Sequence, residues 1–352
     1  MKTSKPTMTD VAERAGVSPA TVARGLYDNG YVSAHKRAIV RTALEETGYR
    51  PNVTARALRT ARSFTLGMVV SESPLNAFHP SVAHEVQVEA LKHGYTVLTL
   101  NNGQNEEIER EGVLRFLDHH VDAVIFCAAL NPANVRAIAS AGTPLVQIER
   151  ESAKIGSFSL VNPTRGMREA IEHLHSLGHT RIGYVGGEAK FCHLESRRTK
   201  SVEVQRVESY RRSLKAAGLN SPDELVRVGP YYVEHAERQP GRTMMNELTN
   251  LPEPPTAVIF GSDLLAAGAL QALHERGLRV PADMSIVGYD DIMAEILIPP
   301  ITSIAQPIRE LGRNAVTLAL AAIADPDSPA QKLVADTKLV IRHSTGSPQP
   351  LP

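Results

Sequence analysis

Thr9 to Arg24 carry residue types spaced to read nucleic acid. Val11, Ala12 and Ala15 fall on one side of a first short helix, and Gly16 permits a tight turn. Ser18 caps a second helix, with Pro19 at its first position, where a missing N–H costs nothing. Val22 and Leu26 then face back toward the first helix. Two short helices joined by a Gly-containing turn make a helix-turn-helix, whose second helix lies in the DNA major groove. Charge agrees. Residues 1–63 hold eleven Lys and Arg against five Asp and Glu, and the rest holds 27 against 33, so a net charge of zero over 352 residues hides a +6 head on a −6 body. One end suits phosphates, and the body does not.

Catalytic patterns are missing from the sequence. No Ser-His-Asp spacing, phosphate loop, metal-ligand run or paired carboxylates stand out, and Gly183-Tyr184-Val185-Gly186-Gly187 lacks the dinucleotide order of glycines. His119, His120, His173 and His175 sit on predicted helices and read as solvated or core-edge residues. Cys127 and Cys192 form no Cys-x-x-Cys pair, so neither zinc nor a disulfide framework is expected, and Cys127 ends an apolar strand. No cofactor is expected. The first residues show no apolar stretch, and no segment approaches a membrane span, so a cytoplasmic protein is expected.

The elements that must position these residues fall into two regimes. Helices are predicted over 9–15, 18–27 and 34–47, with Gly48 and Pro51 as stop signals. A short alanine-rich helix follows, capped by Asn52, and residues 60–63 read as a linker. From Phe64, strand-length apolar runs alternate with amphipathic helices: strands at 66–70, 96–100, 123–128 and 145–148, then a second cycle at 158–161, 181–185, 225–228, 257–260 and 285–289. This is an α/β pattern of parallel sheets with helices on both faces, in two halves with a ligand cleft at the strand ends between them. Further elements are predicted at 301–305 (strand), 307–324 (helix) and 338–341 (strand), with the chain returning to the first half after the second. The expected domains are therefore a head at 1–50, a hinge at 51–63 and a core at 64–345. Within the core, the first subdomain is placed at 64–161 with 292–324 and the second at 162–291 with 325–345. The tail 346–352 is expected to be loose.

Head and body together resemble the LacI/GalR family of bacterial transcription regulators over nearly the whole chain. The resemblance rests on Thr9–Arg24, Tyr31-Val32-Ser33, Gly48–Asn52, Ala55–Leu58, Gly178–Ile182, Gly277–Pro281, Val287–Asp291 and Pro300–Ile304, in that order. It implies an all-α helix-turn-helix head plus hinge helix, a periplasmic-binding-protein-like core, and a homodimer whose heads bind a palindromic DNA operator. Pro19, Ala20 and Arg24 match positions that meet base edges. Arg24 is the only long donor among them, and Pro19 and Ala20 offer apolar contact only. Thr7, Ser18 and Thr21 match phosphate-holding positions, and Tyr31 follows the recognition helix. Leu58 matches a minor-groove lever: small Ala55 and Ala57 let two hinge helices approach, and a leucine from each wedges into a base step, with Arg59 alongside. So short a helix does not persist alone in water, which makes it a switch.

The resemblance also places a small-molecule effector, of sugar, sugar-acid or sugar-phosphate type, between the subdomains. Phe78 and His79 match a ring-stacking position, Arg206 the cleft arginine and Asp290 the cleft aspartate. Glu149, Arg165 and Ser262 are candidate neighbours. An Arg and an Asp across a cleft suit vicinal hydroxyls or a carboxylate. Asn162-Pro163 and Ser262-Asp263 depart from the Asp-Asn and Asn-Asp of many relatives. The charged run 188–200 looks longer than usual, and arginines near the cleft suggest an anionic effector. The expected activity is ligand-controlled repression. A solute-binding protein or an α/β enzyme with the same two-lobed core are the alternatives; residues 1–60 would have no purpose in the first, and the second lacks a nucleophile or metal site.

Overall fold

The computed structural model describes residues 6–27, 30–50, 57, 60–71, 77–188, 201–230 and 239–349. Asn52, Ala55, Leu58 and Arg59 of the expected hinge, and 189–200 of the charged run, lie outside the described residues. The chain divides into two units, Met1–Ser63 and Phe64–Pro352.

In the first unit, helices α1 (Met8–Ala15), α2 (Pro19–Tyr27) and α3 (Ala34–Thr47) follow the sequence signals closely. Thr7 and Asp10 form a reciprocal capping box at the start of α1, and Gly16 ends it at φ 63°. Ser18 Oγ accepts from the Thr21 backbone N at 3.2 Å, capping α2, and Ser33 caps α3. Val11, Ala12, Ala15, Val22, Val40 and Ala43 make the core, while Leu26 stays half-buried.

The second unit carries two six-stranded sheets among its described residues. The first has the order β11-β5-β4-β3-β1-β2. It is built from β1 (Thr65–Val70), β2 (Thr96–Asn101), β3 (Ala123–Cys127), β4 (Leu145–Ile148), β5 (Ser157–Asn162) and β11 (Lys332–Asp336), all parallel. The second has the order β12-β10-β9-β8-β6-β7. It uses β6 (Ile182–Gly187), β7 (Val226–Gly229), β8 (Ala257–Phe260), β9 (Ser285–Asp290), β10 (Thr302–Ala305) and β12 (Lys338–Val340), of which only β12 runs antiparallel to its neighbour. Strands β1, β3, β4, β8 and β9 are almost wholly buried, the continuous apolar runs that a doubly covered parallel sheet requires. Helices α4 (Phe78–Lys92), α5 (Glu106–Asp118) and α6 (Pro132–Ser140) pack on the first sheet; α7 (Thr164–Ser176), α8 (Val202–Ala216), α9 (Pro240–Thr249) and α10 (Asp263–Glu275) pack on the second. Helix α11 (Ile308–Ala324) returns to the first lobe, against α4.

Two subdomain boundaries differ from expectation. Residues 292–305 belong with the second lobe, because Thr302–Ala305 pair in register with Val287–Asp290, and the chain crosses only after Ala305. Residues 332–336, not expected as a strand, form β11 on the edge of the first sheet beside β5. Thr337 then crosses back and is fully buried: its Oγ1 accepts from the Gly166 backbone N at 3.1 Å. The lobes are thus joined at 162–163, 305–307 and 336–338. The start of the tail is tied down rather than loose. Gly346 N donates to Ser285 Oγ at 3.0 Å, and its carbonyl lies 2.8 Å from Nε2 of the buried His179.

Candidate functional site

The C-terminal ends of the strands converge on one polar cluster between the lobes. Glu149 follows β4, Gly261 follows β8, Asp290 ends β9 and Gln306 follows β10. The backbone is strained here. Ala128, Glu149, Asp290 and Asp291 all hold positive φ, 61°, 64°, 95° and 60°, conformations that cluster at functional sites when they occur outside glycine.

Arg206, on α8 of the second lobe, is the hub. Its Nη1 donates to the Gly261 carbonyl at 2.9 Å, its Nη2 lies 3.5 Å from Glu149 Oε1, and its guanidinium stacks 4.1 Å from the centre of the Tyr289 ring. Glu149 also faces His79 Nε2 and Arg150 Nε, each at 3.6 Å, and Arg150 Nη2 donates to Glu203 Oε1 at 2.9 Å. His79 Nδ1 is held 2.6 Å from the Ser71 carbonyl. Burial pushes the Glu149 carboxyl up, but His79, Arg150 and Arg206 outweigh it and hold it at about 2, so it is ionised. Burial dominates at Asp290 and pushes it up to about 8: Arg206 and Gln306 pull down, while Asp263 and Glu149 push up. Gln306 Nε2 donates to Asp290 Oδ1 at 2.6 Å, and its own Oε1 is buried with no hydrogen-bond partner among the described residues.

The structure therefore brings together His79, Glu149, Arg206 and Asp290. Three other expected site residues are used elsewhere. Phe78 is in the first-lobe core, because it shares a helical face with Val82, Val86 and Ala90, and its ring centre lies 5.5 Å from that of His79. Ser262 Oγ accepts from the Leu265 backbone N at 3.2 Å and caps α10. Arg165 is exposed on the first turn of α7 and paired with Glu169 at 2.8 Å. Arg150, Glu203, Tyr289, Asp263 and Gln306 were not anticipated. Arg150 stands two residues past the end of β4, Gln306 directly after β10, and Glu203 one helical turn before Arg206. Asp263 anchors the loop after β9, accepting from Ser303 Oγ, Ile292 N and Met293 N. A separate hollow of about 740 Å³ opens beside Pro281 and Ser347, at the opposite end of β9 from Asp290. Its charged residues, Arg279 and Asp283, pair with each other at 2.8 Å.

In the head, Pro19, Ala20 and Arg24 are exposed on α2, Thr21 is half-buried, and the Tyr31 side chain is 91 % exposed. The Thr7 and Ser18 hydroxyls are engaged in helix caps. Residues 7–52 match the family model for bacterial regulatory proteins of the lacI family, and 171–345 match that for a periplasmic binding protein-like domain. The HTH-type transcriptional regulator DegA of Bacillus subtilis (strain 168) is 30 % identical over 347 residues, 97 % of this chain and 98 % of that protein. The chain belongs to the LacI family. Like other LacI-family members it is a DNA-binding transcription regulator rather than an enzyme. Among solved structures, a complex of the transcriptional regulator CelR with cellobiose matches with TM-score 0.68 and 29 % identity, covering 96 % of this chain and 99 % of that one. The lac repressor dimer bound to operator and the anti-inducer ONPF matches with TM-score 0.72 and 26 % identity, covering 97 % and 100 %. No helix among the described residues is long and apolar enough to cross a membrane.

Proposed function

We propose that this LacI-family protein is a cytoplasmic, homodimeric repressor released from or recruited to its operator by a neutral, polyhydroxylated effector of the sugar class. The observation that carries the effector reading is the cluster of Glu149, Arg206, Asp290 and Gln306 between the lobes. Gln306 Oε1 accepts only, so it calls for a ligand donor; Arg206 donates; Glu149 accepts; and Asp290, near its titration point at neutral pH, can do either. Adjacent donors and acceptors suit vicinal hydroxyls. An anionic effector fits less well. Arg165 is neutralised by Glu169, and Arg150 and Arg206 face Glu203 and Glu149, so no surplus positive charge remains to attract it.

Operator contacts are assigned to the exposed face of α2. Arg24 takes a guanine or phosphate, Pro19 and Ala20 take apolar base contact, and Tyr31 reaches backbone or base beyond the helix. Thr7, Ser18 and Thr21 set register on phosphates, the first two while capping their helices. Leu58, with Asn52, Ala55 and Arg59, supplies the minor-groove hinge. Effector binding changes the angle between the lobes and so the spacing of the two hinges. Such coupling is worth ~1–3 kcal/mol.

A melting-temperature screen with sugars, sugar acids, sugar phosphates, nucleosides and amino acids tests the effector class, since a ligand that binds only the folded state raises the midpoint. Neutral sugars should raise it more than their acid or phosphate analogues. The reverse order overturns the neutral-polyol reading.

A further inference from the structure

We propose that Arg150 and Glu203 are positioning residues for the effector site: their ion pair bridges the two lobes and brings Glu149 and Arg206 face to face. The inference deepens the effector reading above and rests on it. Arg150 belongs to the first lobe, directly after Glu149 at the end of β4; Glu203 belongs to the second, in the first turn of α8. Glu203 and Arg206 are three residues apart and so share one face of α8. Four charges of alternating sign follow one another in a chain. Arg206 Nη2 lies 3.5 Å from Glu149 Oε1, Glu149 Oε2 lies 3.6 Å from Arg150 Nε, and Arg150 Nη2 donates to Glu203 Oε1 at 2.9 Å. The chain of charges crosses between the lobes twice, once at each Arg–Glu contact to α8.

The distances separate the two crossings by role. At 2.9 Å the Arg150–Glu203 contact is a formed, charge-assisted hydrogen bond. At 3.5 Å the Glu149–Arg206 contact is a longer and weaker ion pair than the first. The effector competes for the loose crossing, and the tight crossing holds the lobes at the spacing that the loose one needs. Burial makes the tight crossing consequential. Only 18 % of the Arg150 side chain and 3 % of the Glu203 side chain are exposed, so salt screens the pair weakly, and removing one partner strands the other as a buried charge. Ser201 fixes the first turn of α8 by accepting from Val204 N at 3.3 Å, which sets the direction from which Glu203 meets Arg150.

Amide hydrogen exchange on the ligand-free, full-length protein tests the proposal, with segments 149–155 and 201–207 as the readout. Arg150→Glu should accelerate exchange in both segments, on opposite lobes, by about tenfold or more. The double variant R150Q/E203Q, which strands neither charge, should exchange more slowly in both segments than Arg150→Gln alone, which loss of simple packing at one site could not do. Arg110→Glu, in an exposed pair with Glu107, should change neither segment. If Arg150→Glu fails to fold, Arg150→Gln serves as the single variant throughout. Unchanged exchange at 201–207 in the single variant, or no restoration in the double, overturns the assignment. No effector enters this experiment, so its failure removes the bridge and leaves the effector class standing, whereas failure of the melting screen does the reverse.

Discussion

Asp290 ends β9 with φ 95° and its carboxyl against Gln306, and burial raises it to about 8. An acid raised on folding keeps its proton in the folded protein where the unfolded chain has released it. Its contribution to stability is therefore lost as pH rises from about 4 to about 8. Glu149 has the opposite sign: held at about 2, it contributes stability above about 4.5 that is lost as pH falls toward 2. Asp290→Asn should accordingly flatten the fall in stability between pH 4 and 8 relative to the parent protein, measured by urea unfolding across that range. An unchanged slope would place the titration elsewhere. The family resemblance named His79, Arg206 and Asp290, and position after a strand added Glu149; the structure sets these four side chains in one cluster. Resemblance and position were not enough for Phe78, because nearness to a strand end says nothing of helical phase, and its phase points inward. They also did not reveal that Ser262 is a helix cap, or that Arg165 has a carboxylate one turn along its own helix.

At the scale of elements, the second lobe depends on how closely α9 approaches α10. A Cβ added at Gly241, near the start of α9, would lie 2.0 Å from the Leu265 carbonyl oxygen, and one at Gly268 on α10 would lie 3.0 Å from the Arg242 backbone N. Backbone meets backbone there, so no side chain can move aside. Gly241→Ala should destabilise the core by about 1–3 kcal/mol in urea while leaving the unfolding of the isolated head unchanged. A neutral effect would mean that the two helices can part without cost. The β-α alternation was legible because its central strands are apolar throughout and several of its helices are followed by glycine. Strand β11 was not: Lys332 and Asp336 bracket three apolar residues on an exposed sheet edge, so neither length nor burial marked it. The boundary at Ala305 was missed because the strand pattern of 302–305 fits either sheet, and only pairing with β9 decides between them.

At the scale of the whole molecule, the remaining question is what joins two copies. Large apolar side chains are exposed on α4 and β2 of the first lobe (Val88, Leu91, Leu98) and at Ile296 and Ile298 of the second; Leu91 is 74 % exposed and Ile298 90 %. Residues this apolar on both lobes suit burial against a second copy along the length of the core. The consequence reaches the DNA. One head offers a single short recognition helix, and two heads held together bind a palindrome with the second contact made at high effective concentration. The double variant L91E/I298E should be monomeric by light scattering at micromolar concentration. Because both side chains are solvent-exposed in the protomer, its core should still fold, with a lower melting midpoint that no longer rises with protein concentration. Its affinity for a half-site should match that of the parent, while its affinity for the full palindrome should fall by about a hundredfold. A variant that stays dimeric would move the interface off these residues. A monomer that binds the palindrome as tightly as the parent would show that one head suffices, and the lobe-to-hinge coupling would then act within a single chain.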